Sequence, residues 1–285
     1  RVAVFGLAKS GLSAIGLLER EGARIVAVDG RSREQLGDAV DGFLESGITL
    51  ALGGDPTQVL SESDLVVVSP GVPLSHPALQ AAEKAGVEII GEVELAYGFL
   101  PAHAKVIGIT GTNGKSTTTA LTGALMEAAQ IETFTGGNLG VPLSDAIAWQ
   151  EQASAYVIEL SSYQLEGINT FRAPNAAVLN VTPDHLDRYA SIDAYAQAKG
   201  RLFLNQRKGD HAIANASDAR TVALAAQSRG THWLFSATPG GTHDGAVSDG
   251  EGGFFIRTQL GEGRIATPQG DNATDSLVAA WRSDP

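Results

Sequence analysis

Lys115 and Ser116 stand where chemistry is most legible. They follow a glycine-rich turn, Gly111-Thr112-Asn113-Gly114, which itself follows an apolar run from Val106 to Ile109. The residues after them, through Thr117 to about Ala129, have helical character. A buried strand, a glycine turn, a lysine with a hydroxyl and a helix start make a device for nucleotide phosphates. The glycines let backbone N–H groups turn inward on an anion, and the helix start adds partial positive charge. Lys115 would reach the outer phosphates and the Ser116 hydroxyl would ligate Mg²⁺. The usual spacing places a first glycine at position 109, where this chain has Ile109, with Gly108 and Gly111 on either side. A tight strand-to-helix turn containing Lys-Ser by coincidence is the bland alternative.

Other residues of chemical interest lie at strand ends. Glu159 interrupts the apolar run Tyr156–Ser161. An acid in a buried strand is costly unless it is paired or metal-bound, so it reads as a Mg²⁺-directed carboxylate, or as a side chain facing solvent from a half-buried strand. His185, flanked by Asp184 and Asp187, follows the strand Ala176–Leu179 in a polar loop, a position that favours a ligand. Gly136-Gly-Asn138-Leu-Gly140 is a second glycine loop, or a plain turn. Ser69-Pro70-Gly71-Val-Pro73 follows the strand Leu65–Val68, and is either a ligand loop at a strand's carboxyl end or a proline-rich strand terminator. Lys199, within a helix read from Ile192 to Phe203, is on its own an ordinary surface lysine.

The elements that must position these groups are α/β in kind. Val2–Phe5, the turn Gly6–Gly11, a helix to about Arg20, and Ile25–Val28 closed by Asp29 form a Rossmann-like opening. Its glycine fingerprint has Ala8 at the middle position, which keeps NAD binding as a minor alternative. A helix over 76–85 and a strand over 87–90 complete a first domain, 1–93. The second domain, 94–285, reads as a P-loop-type ATPase with a mostly parallel sheet, with further strands at 211–215 and 231–235 and a surface loop or hairpin over 237–253. The chain has 285 residues, is 43% apolar, carries a net charge of −12 and has no cysteine. Disulfides and thiolate metal sites are therefore excluded, and no basic patch suggests nucleic acid. No apolar run is long enough to span a bilayer, and a cytoplasmic monomer is expected.

The loop Thr110-Gly-Thr-Asn-Gly-Lys-Ser-Thr117 resembles the ATP loop of the Mur ligases, the ATP-dependent amino-acid ligases of peptidoglycan synthesis. Folylpolyglutamate synthases have a related loop. Gly6–Gly11, Asp29 with Arg31, Ser69–Pro73 and Gly91-Glu-Val-Glu-Leu-Ala96 resemble the branch of that family that adds D-glutamate. The resemblance implies ATP-dependent addition of D-glutamate to UDP-N-acetylmuramoyl-L-alanine through an acyl phosphate. It puts Lys9 and Ser10 against the diphosphate, and Asp29, Gly30 and Arg31 near the uracil. Ser69, Pro70 and Gly71 would line the same cleft, with Asn138 and Ser161 contacting substrate. Gly111 to Thr117 would hold ATP. Ser116 and Glu159 would seat one Mg²⁺. His185 and Lys199, the latter carbamylated by CO₂, would seat a second. Asn272, in Gly270-Asp-Asn-Ala-Thr-Asp275, matches the first asparagine of a nucleotide-holding segment. The family has a third domain, which binds the amino acid. It is expected to be absent here, so that the chain binds its ligands without efficient ligation. Another ligase of the superfamily, or an inactive nucleotide- and UDP-sugar-binding module, are the alternatives.

Overall fold

The computed structural model describes residues 1–149, 153–236, 245–248, 254–258 and 261–266. The N-terminal part alternates strand and helix: β1 (Val2–Phe5), α1 (Lys9–Arg20), β2 (Ile25–Asp29), α2 (Arg33–Leu36), β3 (Thr49–Leu52), α3 (Thr57–Ser61), β4 (Leu65–Val68), α4 (Pro77–Lys84), β5 (Glu88–Gly91) and α5 (Glu92–Tyr97). The five strands form one parallel sheet in the order β3-β2-β1-β4-β5. Strands covered on both faces need continuous apolar runs rather than alternation. Ala3, Phe5, Val26, Val28, Val66 and Val68 accordingly lie in one core with Leu60 and Leu79. Helix α4 begins with Pro77 in its first turn and His76 as its cap, whose Nδ1 accepts the Ala78 N–H at 3.2 Å. The strand order reverses across β1 and β4, which opens a crevice beyond the carboxyl ends of those two strands.

The chain continues through β6 (Lys105–Thr110), α6 (Lys115–Ala128), β7 (Thr133–Gly137), α7 (Leu143–Trp149), β8 (Ala155–Glu159), α8 (Ser162–Glu166), β9 (Asn175–Val178), α9 (Ile192–Gly200), β10 (His211–Asn215), α10 (Ala219–Ala225), β11 (Thr231–Ser236), β12 (Gly245–Ser248), β13 (Phe254–Thr258) and β14 (Gly261–Ala266). They form a second sheet, β14-β13-β12-β11-β10-β9-β6-β8-β7. Pairing is parallel from β8 through β6, β9, β10 and β11 to β12, and antiparallel from β12 to β14. The 237–253 stretch thus carries a strand, β12, which pairs with β13. The helix read over 192–203 is α9 followed by a 3₁₀ turn at Arg201–Phe203.

By contact the chain divides into two compact units, and no single cut separates them. Residues 1–102, 136–152 and 162–171 make the first, and 103–135, 153–161 and 172–285 the second. The returning segment 162–171 is held by α5. Glu94 accepts the backbone N–H groups of Asn169, Thr170 and Phe171 at 2.8, 2.7 and 2.9 Å. Gly91 donates to the Gly167 carbonyl at 2.7 Å, and a Cβ at Gly167 would fall 2.8 Å from the Gly91 backbone. Among the described residues, no helix is long and apolar enough to cross a membrane.

Candidate functional site

In the first unit the loops leaving β1 and β4 are tied together. Ser69 is 3% exposed and its hydroxyl donates to the Gly6 carbonyl at 2.6 Å. Gly6 has φ +95°, a backbone conformation that glycine adopts freely. A Cβ at Gly11 would fall 1.9 Å from the Gly6 carbonyl oxygen, so α1 can start this close only on glycine. Asp29 closes the same turn from β2. Its Oδ2 accepts the Leu7 N–H at 2.7 Å and Arg31 Nη2 at 2.8 Å, and its Oδ1 accepts Arg31 N and Nε, both at 2.9 Å. Burial alone would raise its pKa, but the Arg31 and Leu7 hydrogen bonds overcome that and hold it at about 2. Asp29 and Ser69 therefore shape the cleft from within. Lys9, Gly30, Arg31 and Gly71 are exposed around it, and Ser10 and Pro70 are half-buried. Asn138 is exposed on the loop after β7, and the Lys9 ammonium donates to the Gly140 carbonyl in that loop.

In the second unit β6 lies between β8 and β9, and its end delivers the glycine turn. Ile109, at the position of the missing glycine, is 2% exposed in a core with Met126 and Val157. A Cβ at Gly108 would fall 2.7 Å from Leu202 Cδ1, so this glycine serves packing rather than phosphate. Gly114, with φ +80°, is the N-cap of α6 and turns the chain into the helix. Asn180, at the end of the β9 segment, pins the turn. Its Oδ1 accepts the N–H groups of Thr112 and Asn113 at 3.1 and 2.8 Å, and its Nδ2 donates to the Asn113 carbonyl at 3.0 Å. With the Thr112 and Asn113 amides taken, the turn still offers an anion the first-turn amides of α6, at Lys115, Ser116 and Thr117, which no helix satisfies internally. Lys115 Nζ rests on the Thr112 carbonyl at 2.9 Å.

Tyr195 organises the remaining groups. It is 1% exposed, and its hydroxyl lies 3.3 Å from Thr112 Oγ1. Lys199 Nζ lies 4.5 Å from its ring centre and the His185 ring 5.9 Å away. Lys199 is 1% exposed and donates to the Gly111 carbonyl at 2.8 Å. Burial, then the Lys115 charge, lower its pKa to about 7, against a smaller opposing pull from Asp184. The plain reading of Lys199 as a surface lysine is thus corrected: one α-helical turn after Tyr195, α9 turns it into the core. His185 sits at φ +52°, 43% exposed, with Nε2 3.6 Å from Asp184 Oδ2. Glu159 is 2% exposed and stands beside Ile109 across the β6–β8 pairing. This corrects its solvent-facing alternative. Ser161 follows two residues later, half-buried. Asn272 lies outside the described residues.

The Ser116 hydroxyl and the Glu159 carboxylate are hard oxygen donors of the kind Mg²⁺ takes. Among the described residues no three His, Asp or Glu side chains converge on one point. Phosphate oxygens and water would complete the shell, which is how Mg²⁺ is usually held beside nucleotides. Asn180 and Tyr195 were not singled out from sequence. The signals for them are an asparagine directly after a strand, opening the Asn180–Arg188 segment that resembles the Mur ligases' Asn-Val-x-x-Asp-His-x-Asp pattern, and a tyrosine four residues before a lysine.

Comparison with known proteins gives these two regions a lineage. Residues 1–91 match the Mur ligase MurD-like N-terminal domain and residues 109–268 the Mur ligase middle domain. The chain is 54% identical over 259 residues to UDP-N-acetylmuramoylalanine–D-glutamate ligase of Anaeromyxobacter dehalogenans (strain 2CP-C), covering 90% of this chain and 55% of that one. It is 46% identical over 288 residues to the ligase of the same name from Myxococcus xanthus (strain DK1622), covering 98% of this chain and 63% of that one. The chain thus spans between half and two thirds of the length of these relatives. In fold it is similar to the UDP-N-acetylmuramate:L-alanyl-gamma-D-glutamyl-meso-diaminopimelate ligase from Neisseria meningitides, with a TM-score of 0.58 and 18% identity over 99% of this chain and 92% of that one. A nucleotide turn on one mostly parallel sheet, a reversed-order sheet before it, and both domain matches make this chain a member of the Mur ligase family.

Proposed function

We propose that these residues are the UDP-sugar- and ATP-binding portion of an ATP-dependent ligase that adds D-glutamate to UDP-N-acetylmuramoyl-L-alanine, in peptidoglycan precursor synthesis. The observation that carries this reading is the nucleotide turn with a second, buried lysine behind it: Lys199 Nζ 2.8 Å from the Gly111 carbonyl, and Lys115 at the start of α6. The names of the relatives supply the substrate. In the reaction the L-alanine carboxylate oxygen attacks the γ-phosphorus of ATP and ADP leaves. The amine of D-glutamate then displaces phosphate from the acyl phosphate. Lys115 and the first-turn amides of α6 stabilise charge on the transferring phosphoryl group. Lys9 and the α1 turn hold the diphosphate, and Gly30 and Arg31 border the uracil. Asp29 and Ser69 keep that cleft in shape. Asn138 and Ser161 contact the substrate.

Ser116 and Glu159 would hold one Mg²⁺, and His185 with a carbamate on Lys199 a second. Bound there, the ions would neutralise phosphate charge against the incoming carboxylate. A carbamate forms when a neutral amine adds to CO₂ and loses a proton, and an amine titrating near 7 is neutral often enough for that. Burial is costly for an ammonium and the carbamate replaces it with an anion beside Lys115. We place the protein in the cytoplasm as a monomer.

The dinucleotide alternative is weakened by Asp29. A dinucleotide site needs that carboxylate free for a ribose hydroxyl, and here both oxygens are taken by Leu7 and Arg31. Calorimetric titration with UDP-N-acetylmuramoyl-L-alanine against UDP-N-acetylmuramate tests the reading. Preference for the alanyl compound supports it, and equal or absent binding of both contradicts it.

A further inference from the structure

Helix α5 carries a second carboxylate, Glu92, that the reaction does not use. It is 2% exposed, and its Oε1 accepts the backbone N–H of Ser144 at 2.7 Å. Ser144 is fully buried in the first turn of α7, as is Leu143 beside it. The segment that begins at Gly136 is therefore gripped from α5 just as the 162–171 segment is gripped by Glu94. Lys9 also donates to the Gly140 carbonyl and Arg20 to the Ile147 carbonyl, both from side chains at or near the surface. Water can replace those donors if they are lost. At Glu92 it cannot, because acceptor and donor are both out of solvent.

What the grip controls is the loop before it. Gly137 donates to the Val141 carbonyl at 2.8 Å, which closes the turn that carries Asn138. Gly137 and Gly140 have φ of +108° and +77°. Val141 leads directly through buried Pro142 and Leu143 to Ser144. A closed turn joined through two buried residues to a buried anchor moves with that anchor. We propose that Glu92 is a positioning residue for the UDP-sugar site, acting through Ser144 to set the Gly137–Gly140 turn and with it Asn138. This rests on the function proposed above for Asn138.

The test is a set of Glu92 variants of this chain, read by amide hydrogen exchange over 137–145 and by separate titrations with UDP-N-acetylmuramoyl-L-alanine and ATP–Mg²⁺. Glu92→Gln keeps an oxygen that can accept the Ser144 N–H, so wild-type exchange and affinity are expected. Glu92→Ala loses it, and about tenfold faster exchange and about tenfold weaker UDP-sugar binding are expected, with ATP affinity unchanged. Glu92→Asp keeps the charge but shortens the reach, and serves in place of Glu92→Ala should that variant not fold. Wild-type exchange in the Ala or Asp variant overturns the proposal, as does a Gln variant as impaired as the Ala one. A purely structural role would lower stability without separating the two affinities, and that result also overturns it. If wild-type protein binds ATP but no UDP-sugar, the functional reading fails, while the exchange arm still decides whether Glu92 sets the turn.

Discussion

Asn180→Ala should loosen the nucleotide turn without touching any residue assigned to catalysis. The Asn180 side chain makes three hydrogen bonds to the turn: from Thr112 N at 3.1 Å, from Asn113 N at 2.8 Å, and to the Asn113 carbonyl at 3.0 Å. Thr112 N keeps one partner after the substitution, the Asn180 backbone carbonyl at 3.0 Å. At about 1 kcal/mol net each, three bonds set an upper bound of about 3 kcal/mol. Asn113 is exposed and its groups rehydrate on loss, so about 1–2 kcal/mol is the expected cost. Because the turn must be ordered to bind phosphate, ATP–Mg²⁺ affinity should fall about tenfold, roughly the equivalent of 1.4 kcal/mol. UDP-sugar affinity should be unchanged, since the diphosphate and uracil contacts assigned to Lys9, Gly30 and Arg31 lie in the other unit. Asn180→Asp is the control. It retains the acceptor for both amides, so stability should recover most of the loss. ATP affinity should not recover, because a negative charge then faces the phosphates. Urea denaturation and parallel calorimetric titrations read both quantities. A change of less than twofold in ATP affinity for Asn180→Ala would refute the idea that Asn180 orders the turn.

Four further outcomes follow from the geometry. Gly11→Ala places a Cβ 1.9 Å from the Gly6 carbonyl oxygen, so it should abolish UDP-sugar binding and lower the melting temperature sharply, with ATP binding retained wherever the variant folds. Lys199 has its folded pKa lowered to about 7 from 10.5, so the unfolded chain holds the extra proton between those values; wild-type stability should rise with pH from about 7 to 10.5 relative to Lys199→Met, as paired denaturation curves would reveal. Uptake of ¹³CO₂ by Lys199, followed by ¹³C NMR, should grow as pH rises through 7 and vanish in Lys199→Met. Glu92 shifts the other way: burial raises it to about 7 from 4.5, with the Ser144 amide opposing and Asp145 adding, so the folded state holds the proton and stability falls as pH rises across that window. Glu92→Gln should remove that slope, so its stability relative to wild type should increase from pH 4.5 to 7, by on the order of 3 kcal/mol at most.

How much of this could be read from the sequence depended on how local each signal was. The β1, β2, β4 and β6 strands are continuous apolar runs ending in glycine or a polar residue, and their positions follow from that pattern alone. The strand β3 (Thr49–Leu52), half-buried at an edge of its sheet, carries no comparable run and was not read. The short helices α7 and α8 escaped for a different reason. Carboxylates on α5, distant in the chain, hold the first turn of α7 and the stretch just after α8, as the Glu92–Ser144 and Glu94–Thr170 bonds record, 52 and 76 residues apart. The interleaving of the two units is equally non-local. Among the candidate site residues, Lys115 and Ser116 stand out by spacing, and Glu159 as an acid within an apolar strand. Lys199 did not, because nothing in a helix of mixed residues says which face turns inward. Tyr195 and Asn180 are visible only through their partners. For Asp29 and Ser69, which the sequence placed at strand ends, the structure adds that both side chains are bound within the protein while Gly30, Arg31 and Gly71 are exposed.

The most direct test of the central claim is calorimetric titration of the chain with UDP-N-acetylmuramoyl-L-alanine and, separately, with ATP–Mg²⁺ and NAD, in wild type and in Lys115→Ala. The account predicts binding of the UDP-sugar by both proteins, ATP binding by wild type alone, and no binding of NAD. Tight NAD binding with no UDP-sugar binding would contradict it and return residues 1–93 to a dinucleotide site.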